Sequence, residues 1–245
     1  MKKLFFLLSL LPFLTQSQSW TTSSNFIGDG RHHPITFSND NFGFVVSGSY
    51  LNDVFKYDKL NDTWTQLQDF PGQGRGYGYA VSIGNDAYVG FGSTDNGQFP
   101  TNWWKYDMLT DTWFQLSSFI GDGRNHPAMV VVNNKIYVGC GSNDNGNLGD
   151  WWEYDITADS WSQKSDIIGY NRHHPFYFGI GDYAYVGFGH GSTLALEVTQ
   201  IQTTIYIMTF IATTLKIILG PNSQIFLQRL ELLAHNFLMK EKAIF

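Results

Sequence analysis

The segment from Arg124 to Trp161 decides the fold, and it runs RNHPAMVVVNNKIYVGCGSNDNGNLGDWWEYDITADSW. An apolar stretch turns at Asn133-Asn134 and continues into a second apolar stretch that ends in Gly139-Cys140-Gly141. Consecutive asparagines tolerate the positive φ angles of a two-residue hairpin turn. After a polar loop, an aromatic stretch from Asp150 to Ile156 turns back into a last strand at Trp161. The segment therefore predicts four short antiparallel strands.

The same order of residues recurs along the chain. A Trp is followed eleven residues later by an Arg, and a Gly closes an apolar run seventeen residues after that Arg. Successive Trp residues lie 44, 49 and 48 residues apart, and a Tyr stands seven residues before each of the last three. A fixed period of this length is typical of a repeat architecture. The repeated positions are Trp20, Trp64, Trp113 and Trp161; Arg31, Arg75, Arg124 and Arg172; Gly48, Gly92, Gly141 and Gly189; and Tyr57, Tyr106 and Tyr154.

Four antiparallel strands in each period indicate a blade of a β-propeller. A blade has two apolar faces and cannot bury both alone, so blades pack face to face around an axis. Glycines at the ends of the second strands allow close backbone approach; these are Gly48, Gly90, Gly92, Gly139, Gly141, Gly187 and Gly189. The fourth unit stops before its Tyr-Asp and its Trp. The predicted fold is all-β, with about three and a half four-stranded blades in an incomplete ring.

The apolar run that ends in glycines, followed by Tyr and Trp at fixed spacing, resembles the kelch repeat. The resemblance covers residues 20 to about 192 and differs in its doublet, which is Gly-X-Gly here instead of adjacent glycines. It implies a kelch-type β-propeller and no single activity, because kelch propellers range from binding scaffolds to enzymes. Galactose-oxidase-like members of the architecture need a copper site that includes a Cys bonded to a Tyr. The single cysteine, Cys140, lies in an apolar strand, so we predict neither that activity nor any other cofactor.

The N-terminus is typical of a secretory signal peptide over residues 1–17. Lys2 and Lys3 precede a short apolar run from Leu4 to Leu14, and cleavage is expected before Gln18. The run is too short to span a bilayer, so no membrane span is predicted. We expect the protein to be secreted or to lie in a bacterial cell envelope. N-terminal sequencing of the mature protein tests this, and an intact Met1 would contradict it.

The blades are predicted over residues 18–193, and residues 194–245 do not continue the pattern. The segment from Ile201 to Leu219 is rich in Ile and Thr where a Tyr-Asp pair and a Trp are due. When Ile207 to Phe237 is reverse-translated and read two bases later, the genetic code permits a blade-like string with Tyr-Asp and Trp at the repeat spacing. We therefore hypothesise a shifted reading frame near residues 192 to 197. Resequencing the gene across that stretch tests the hypothesis, and a clean in-frame read would exclude it.

Each first strand begins with a conspicuous motif, such as Arg-His-His-Pro at residues 31–34 and 172–175. The first strand of a propeller blade is innermost, so these ends are expected to ring one mouth of the channel. An Arg can bind an anionic group with its fork of donors. Alternatively, each Arg bonds loop carbonyls of its own blade and each His is satisfied between blades. The candidate ligand-binding residues are Arg31, His33, Arg75, Arg124, His126, Arg172 and His174.

The histidines also permit a metal site as an alternative. Neighbouring residues on a strand point to opposite faces, so only one His of each pair can face a shared site. We predict no metal site. The loops at residues 94–97 and 143–146 contain Asp and Asn in succession, without the alternating ligands of a calcium loop. No catalytic residue is assigned.

Composition and motifs together favour binding over catalysis. The net charge of -6 argues against a nucleic-acid partner, which favours a basic face. Adjacent tryptophans at Trp103-Trp104 and Trp151-Trp152 are predicted to fill the space between blades, with an exposed platform for sugar as the alternative. We expect an exported module that engages protein or glycan through blade loops. The alternative is a carbohydrate-active enzyme of the sugar epimerase or mutarotase type that uses the Arg/His mouth.

Overall fold

The computed structural model of the chain describes residues 20–191 and the backbone of the strand Leu196–Gln200. The predicted signal peptide and most of the predicted tail lie outside these residues. Within them the structure is all-β, as predicted, and the strands form successive antiparallel sheets with one sheet for each repeat. No helix of the described part is long and apolar enough to cross a bilayer.

Three repeats form complete four-stranded blades. Blade 1 contains β1 (Ile35–Ser38), β2 (Phe42–Val46), β3 (Val54–Asp58) and β4 (Thr63–Gln66). Blade 2 contains β5 (Tyr79–Ile83), β6 (Asp86–Gly90), β7 (Trp103–Asp107) and β8 (Thr112–Leu116). Blade 3 contains β9 (Ala128–Val132), β10 (Lys135–Gly139), β13 (Trp151–Asp155) and β14 (Ser160–Lys164), with a small hairpin of β11 (Ser142–Asn143) and β12 (Gly146–Asn147) in its loop.

The fourth repeat forms a three-stranded sheet among the described residues. Its strands are β15 (Phe176–Ile180), β16 (Tyr183–Gly187) and β17 (Leu196–Gln200). The third strand pairs with β16 from Tyr183↔Gln200 to Gly187↔Leu196. The sheet therefore continues past residue 193, where the sequence pattern was expected to stop. Over the described residues the sheets form an incomplete ring, as the repeats predicted.

The first strands of successive blades lie beside one another, β1 next to β5, β5 next to β9, and β9 next to β15. Backbone bonds tie the blades together at the glycine that closes each repeat. The amide of Gly92 donates to the carbonyl of Arg124, and the amide of Gly141 donates to Arg172, each at 2.8 Å. Gly141 has a φ of +94°, and a Cβ there would lie 2.5 Å from the Asn125 carbonyl oxygen. Glycine is required because the φ is positive and any side chain would collide with the start of the first strand in the same blade.

Aromatic side chains fill the space between blades. Tyr154 lies directly opposite Trp161 across the last hairpin of blade 3, and the corresponding pairs recur in the other complete blades. Trp103 is fully buried among residues of blades 2 and 3, whereas its neighbour Trp104 packs between blades 1 and 2. Trp151 and Trp152 divide in the same way between two clusters. All four indoles are buried, so the alternative of an exposed sugar platform at these pairs is wrong.

Candidate functional site

One residue from each blade forms a ring at the mouth, where the first strands begin. In chain order these are His33, Tyr77, His126 and His174, and all have positive φ angles near 50° to 63°. Each of the last three residues donates its backbone amide to the carbonyl of the ring residue before it. The distances are 3.3 Å from Tyr77 to His33, 3.4 Å from His126 to Tyr77, and 3.2 Å from His174 to His126. This mouth ring is therefore fixed by backbone hydrogen bonds between neighbouring blades.

The side chains of the mouth ring contact one another. Ring centroids lie 4.1 Å apart for His33 and Tyr77, 4.9 Å for Tyr77 and His126, and 3.3 Å for His126 and His174. The three histidines each offer a nitrogen, and these nitrogens all lie within 4.8 Å of one another. The structure thus brings together the three histidines that the sequence singled out. The other member of one pair, His173, points instead to the side chain of Asn147, 2.7 Å from its Nδ1.

A cavity of about 300 Å³ opens beside the mouth ring. His33, Tyr77 and His126 form one part of its wall, and Tyr79 and Tyr177 from the inner strands β5 and β15 form another. The remaining lining residues are Pro34, Thr36, Gly78 and Ala80. The wall therefore consists of aromatic rings with imidazole nitrogens and phenol hydroxyls. Four successive first strands contribute to the mouth ring or to this wall.

The imidazoles of the mouth ring are neutral at pH 7. Burial, reinforced by the positive charge that His174 and other nearby histidines would carry, lowers the pKa of His126 to about 3. Burial and neighbouring histidines also lower the pKa values of His33 and His174. Burial raises the pKa of the Tyr79 and Tyr177 phenols, so both keep their protons. The cavity wall is uncharged.

The four repeated arginines, all within the described residues, do not line this cavity. Arg124 is fully buried. Its Nη1 donates to the backbone carbonyl of Cys140 at 3.0 Å, and its Nε donates to the backbone carbonyl of Asp122 at 2.9 Å. Its guanidinium also forms a two-point ion pair with Asp150, with distances of 2.5 and 2.8 Å. The guanidinium carbon of Arg124, Cζ, lies 5.0 Å from the centroid of the Phe119 ring. Arg124 therefore supports the loops of its own blade.

The other three arginines occupy equivalent places. Arg31 pairs with Asp53, Arg75 donates to Asn102, and Arg172 donates to the Phe188 carbonyl at 3.0 Å. Each guanidinium extends along its blade to the carbonyl before the closing glycine. The structure places Arg31, Arg75, Arg124 and Arg172 away from the ligand-binding role considered for them. This geometry does not favour the Arg/His mouth of the enzyme alternative.

Blade 2 differs from its neighbours in the partner of its arginine, which gives a test. Arg75 is fully buried, and burial lowers its pKa to about 10, yet its side-chain partner is the neutral Asn102. We expect Asn102→Asp to raise the free energy of unfolding by about 1 to 2 kcal/mol, because a charge-assisted bond replaces a neutral one. Urea denaturation measures the change. Asn145→Asp, at an exposed loop position, is the control for net charge, and equal effects in both variants would contradict the expectation.

Sequence reasoning missed the tyrosines of the wall. Tyr77 is the third residue of Arg75-Gly-Tyr-Gly, the position that a His occupies in the corresponding motif of the other blades, so its register was visible. Tyr79 and Tyr177 lie on inner strands, and period-two alternation alone does not reveal which face borders a cavity. The position of these tyrosines in the cavity wall could be recognised only from the arrangement of the blades around the axis.

Comparisons with known proteins agree with this architecture. A family model described as "Kelch motif" matches residues 123–167, which correspond to blade 3. A solved structure titled "Structure of YjhT", of a kelch-repeat propeller protein, matches with a TM-score of 0.58 at 18% identity, covering 71% of this chain and 67% of that one. At this identity the likeness concerns the fold alone. No curated protein sequence matches the chain. The family model thus identifies a kelch motif in blade 3, and the solved structure shares the propeller fold.

Proposed function

We propose that the protein is a kelch-repeat binding module whose mouth cavity accepts a sugar unit of a glycan. The observation that supports this most is the cavity of about 300 Å³ between His33, His126 and the tyrosines of the inner strands. Ligand pockets start at about this volume, so the cavity suits a monosaccharide-sized group. Loops around the mouth would then contact the neighbouring units of the glycan.

The chemistry of the wall favours a neutral, hydroxyl-rich ligand. Phenol hydroxyls of Tyr79 and Tyr177 donate and accept hydrogen bonds, and the faces of aromatic rings pack against the apolar C–H surface of a sugar ring. The three imidazoles are neutral at pH 7 and add further donors and acceptors. Since no arginine side chain lines the cavity, an anionic ligand gains no charge pair there. A protein partner that contacts the loops is the other outcome to be tested.

A glycan array probed with the labelled full chain tests the proposal. We expect hits that share a terminal sugar, and we expect Tyr79→Phe and Tyr177→Phe each to weaken binding by about five- to tenfold, the equivalent of one hydrogen bond. Both changes remove a single oxygen and keep the ring. Tyr170→Phe removes an exposed phenol that does not line the cavity and should leave affinity unchanged.

Two outcomes would overturn this proposal. Binding that is equally strong in the Tyr79, Tyr177 and Tyr170 variants would place the contact on loops outside the cavity. Chemical conversion of a bound sugar by the purified chain would indicate an enzyme in place of a binding module. The array hits and their products after incubation distinguish the two.

A further inference from the structure

We propose that His33, His126 and His174 bind one Zn²⁺ ion at the mouth of the propeller. Zinc uptake can be measured without any sugar, so this test is separate from that of the glycan proposal. The uncharged wall described above is that of the metal-free protein, and a bound ion would add positive charge at His33 and His126. From the sequence we predicted no metal site, and the zinc proposal differs from that prediction. The reason is the arrangement of three blades, which places side chains from distant repeats at one point.

The ligand atoms converge from three separate blades. One nitrogen from each histidine lies within 4.8 Å of the others. Tetrahedral zinc with bonds of 2.0 to 2.1 Å requires nitrogens about 3.3 Å apart. Side-chain rotation by the exposed His33 and the partly exposed His174 can close this gap around the buried His126. The backbone is already held by the hydrogen bonds of the mouth ring.

His126 provides an independent sign of a missing partner. Its side chain is 7% exposed, and its Nδ1 is buried with no hydrogen-bond partner among the described residues. A buried nitrogen without a partner is destabilising, and native proteins contain few of them. Imidazole nitrogen is a preferred ligand of Zn²⁺ and other borderline metal ions. A bound ion satisfies the orphan atom, and the other ring nitrogen remains for a second contact.

Three protein ligands leave a fourth position of the zinc open. The described residues of the adjoining cavity include no carboxylate, so the bound ion keeps its full positive charge. The fourth ligand is therefore expected to be water, or an oxygen of a molecule that enters the cavity. This arrangement belongs to the open class of zinc sites and differs from closed structural sites.

A second histidine trio competes with the first and must be distinguished. His173, His174 and His190 also offer nitrogens within 4.8 Å of one another. His173 is already engaged with Asn147 at 2.7 Å, and the ring of His190 stacks on His173 at 4.9 Å. His173 and His190 do not line the cavity, and they do not belong to the mouth ring. We therefore assign the ion to the trio that contains His126.

The test measures zinc binding by the full chain, purified with an affinity tag that contains no histidine. Isothermal titration and metal analysis after dialysis should give one Zn²⁺ per chain. His33→Gln and His126→Gln should each weaken binding by at least about tenfold, since even outer partners of metal ligands change affinity by 10- to 100-fold. His190→Gln is the matched control and should bind as the parent chain does, because His190 lies outside the mouth ring. Circular dichroism verifies that each variant is folded, and the exposed His33 is the variant least expected to disturb the fold.

Three results would overturn the assignment. The first is a folded parent chain that binds no zinc. The second is loss of binding in His190→Gln with retention in His33→Gln, which would move the ion to the second trio. The third is equal binding by all variants, which would indicate adventitious surface sites. Tetrahedral absorption bands of Co²⁺ in the parent, absent in His33→Gln, would support it further.

Discussion

Replacing Arg124 with methionine is expected to lower the free energy of unfolding by about 3 to 5 kcal/mol, the usual effect of breaking a buried ion pair. The change removes the ion pair of the Asp150 carboxylate, which keeps the Trp152 indole N–H as a donor, and it removes the Arg124 hydrogen bond to the Cys140 carbonyl. Methionine keeps most of the volume against Phe119, so the loss reports polar contacts and not a cavity. Urea denaturation followed by circular dichroism measures the effect.

The double variant Arg124→Met/Asp150→Asn is the control for this prediction. It removes both charges, so it should be more stable than Arg124→Met alone. An Arg124→Met chain with an unchanged urea midpoint and a lost ligand would contradict the structural role and restore the ligand-binding hypothesis.

The same pair predicts a pH dependence. Burial would raise the pKa of Asp150, but hydrogen bonds and the charge of Arg124 outweigh this and lower it. A carboxyl group with a lowered pKa in the folded state stabilises above its unfolded pKa of about 4 and loses that contribution as the pH falls through the folded value. The difference between the parent and Arg124→Met should therefore shrink in acid.

Replacing Phe176, Phe178 and Ile180 together with threonine is expected to convert a largely aggregated chain into a largely soluble one. These side chains on β15 are 70%, 43% and 53% exposed, and they share the face of blade 4 that points away from blade 3. On the opposite face, Tyr177 packs against blade 3. A contiguous exposed apolar face on a strand is an aggregation site. Threonine removes the apolar surface and keeps the preference for β-structure.

The matched control removes a similar apolar surface from scattered positions. Leu60, Leu109 and Ile120 are 88%, 68% and 67% exposed on separate loops, and single exposed apolar residues are normal. Their triple replacement by threonine should leave solubility unchanged. Size-exclusion chromatography and the soluble fraction after expression measure both variants. Equal improvement in both, or a monodisperse parent chain, would contradict the role of the blade 4 face.

Most of the fold could be predicted because its signals are local and repeated. The spacing of Tyr154 and Trp161 indicates a hairpin of one register, and the structure pairs them directly. Asn133 and Asn134 both have positive φ angles, as the predicted turn requires. The strand Leu196–Gln200 was not predicted, because its side chains follow none of the repeat pattern and only pairing with β16 identifies it.

The candidate site could be predicted only in part. His33, His126 and His174 were among the candidate residues chosen from the sequence, and the structure brings their side chains together. The arginines beside them were grouped with the site because sequence spacing shows no partner. Asp150 lies 26 residues from Arg124, and nothing local connects them. Contacts this distant in sequence determine whether an arginine binds a ligand or stabilises the loops of its own blade.

If the repeats form neighbouring blades around one axis, an engineered disulfide should be able to link two of them. The His174 amide lies 3.2 Å from the His126 carbonyl oxygen, which places the two residues within reach of a disulfide. In a Cys140→Ala background, the His126→Cys/His174→Cys variant should form an intramolecular disulfide under mild oxidation, identified by mass spectrometry, and should lose it in concentrated urea. Cysteines that stay reduced in the folded chain, or that link only different molecules, would contradict the propeller.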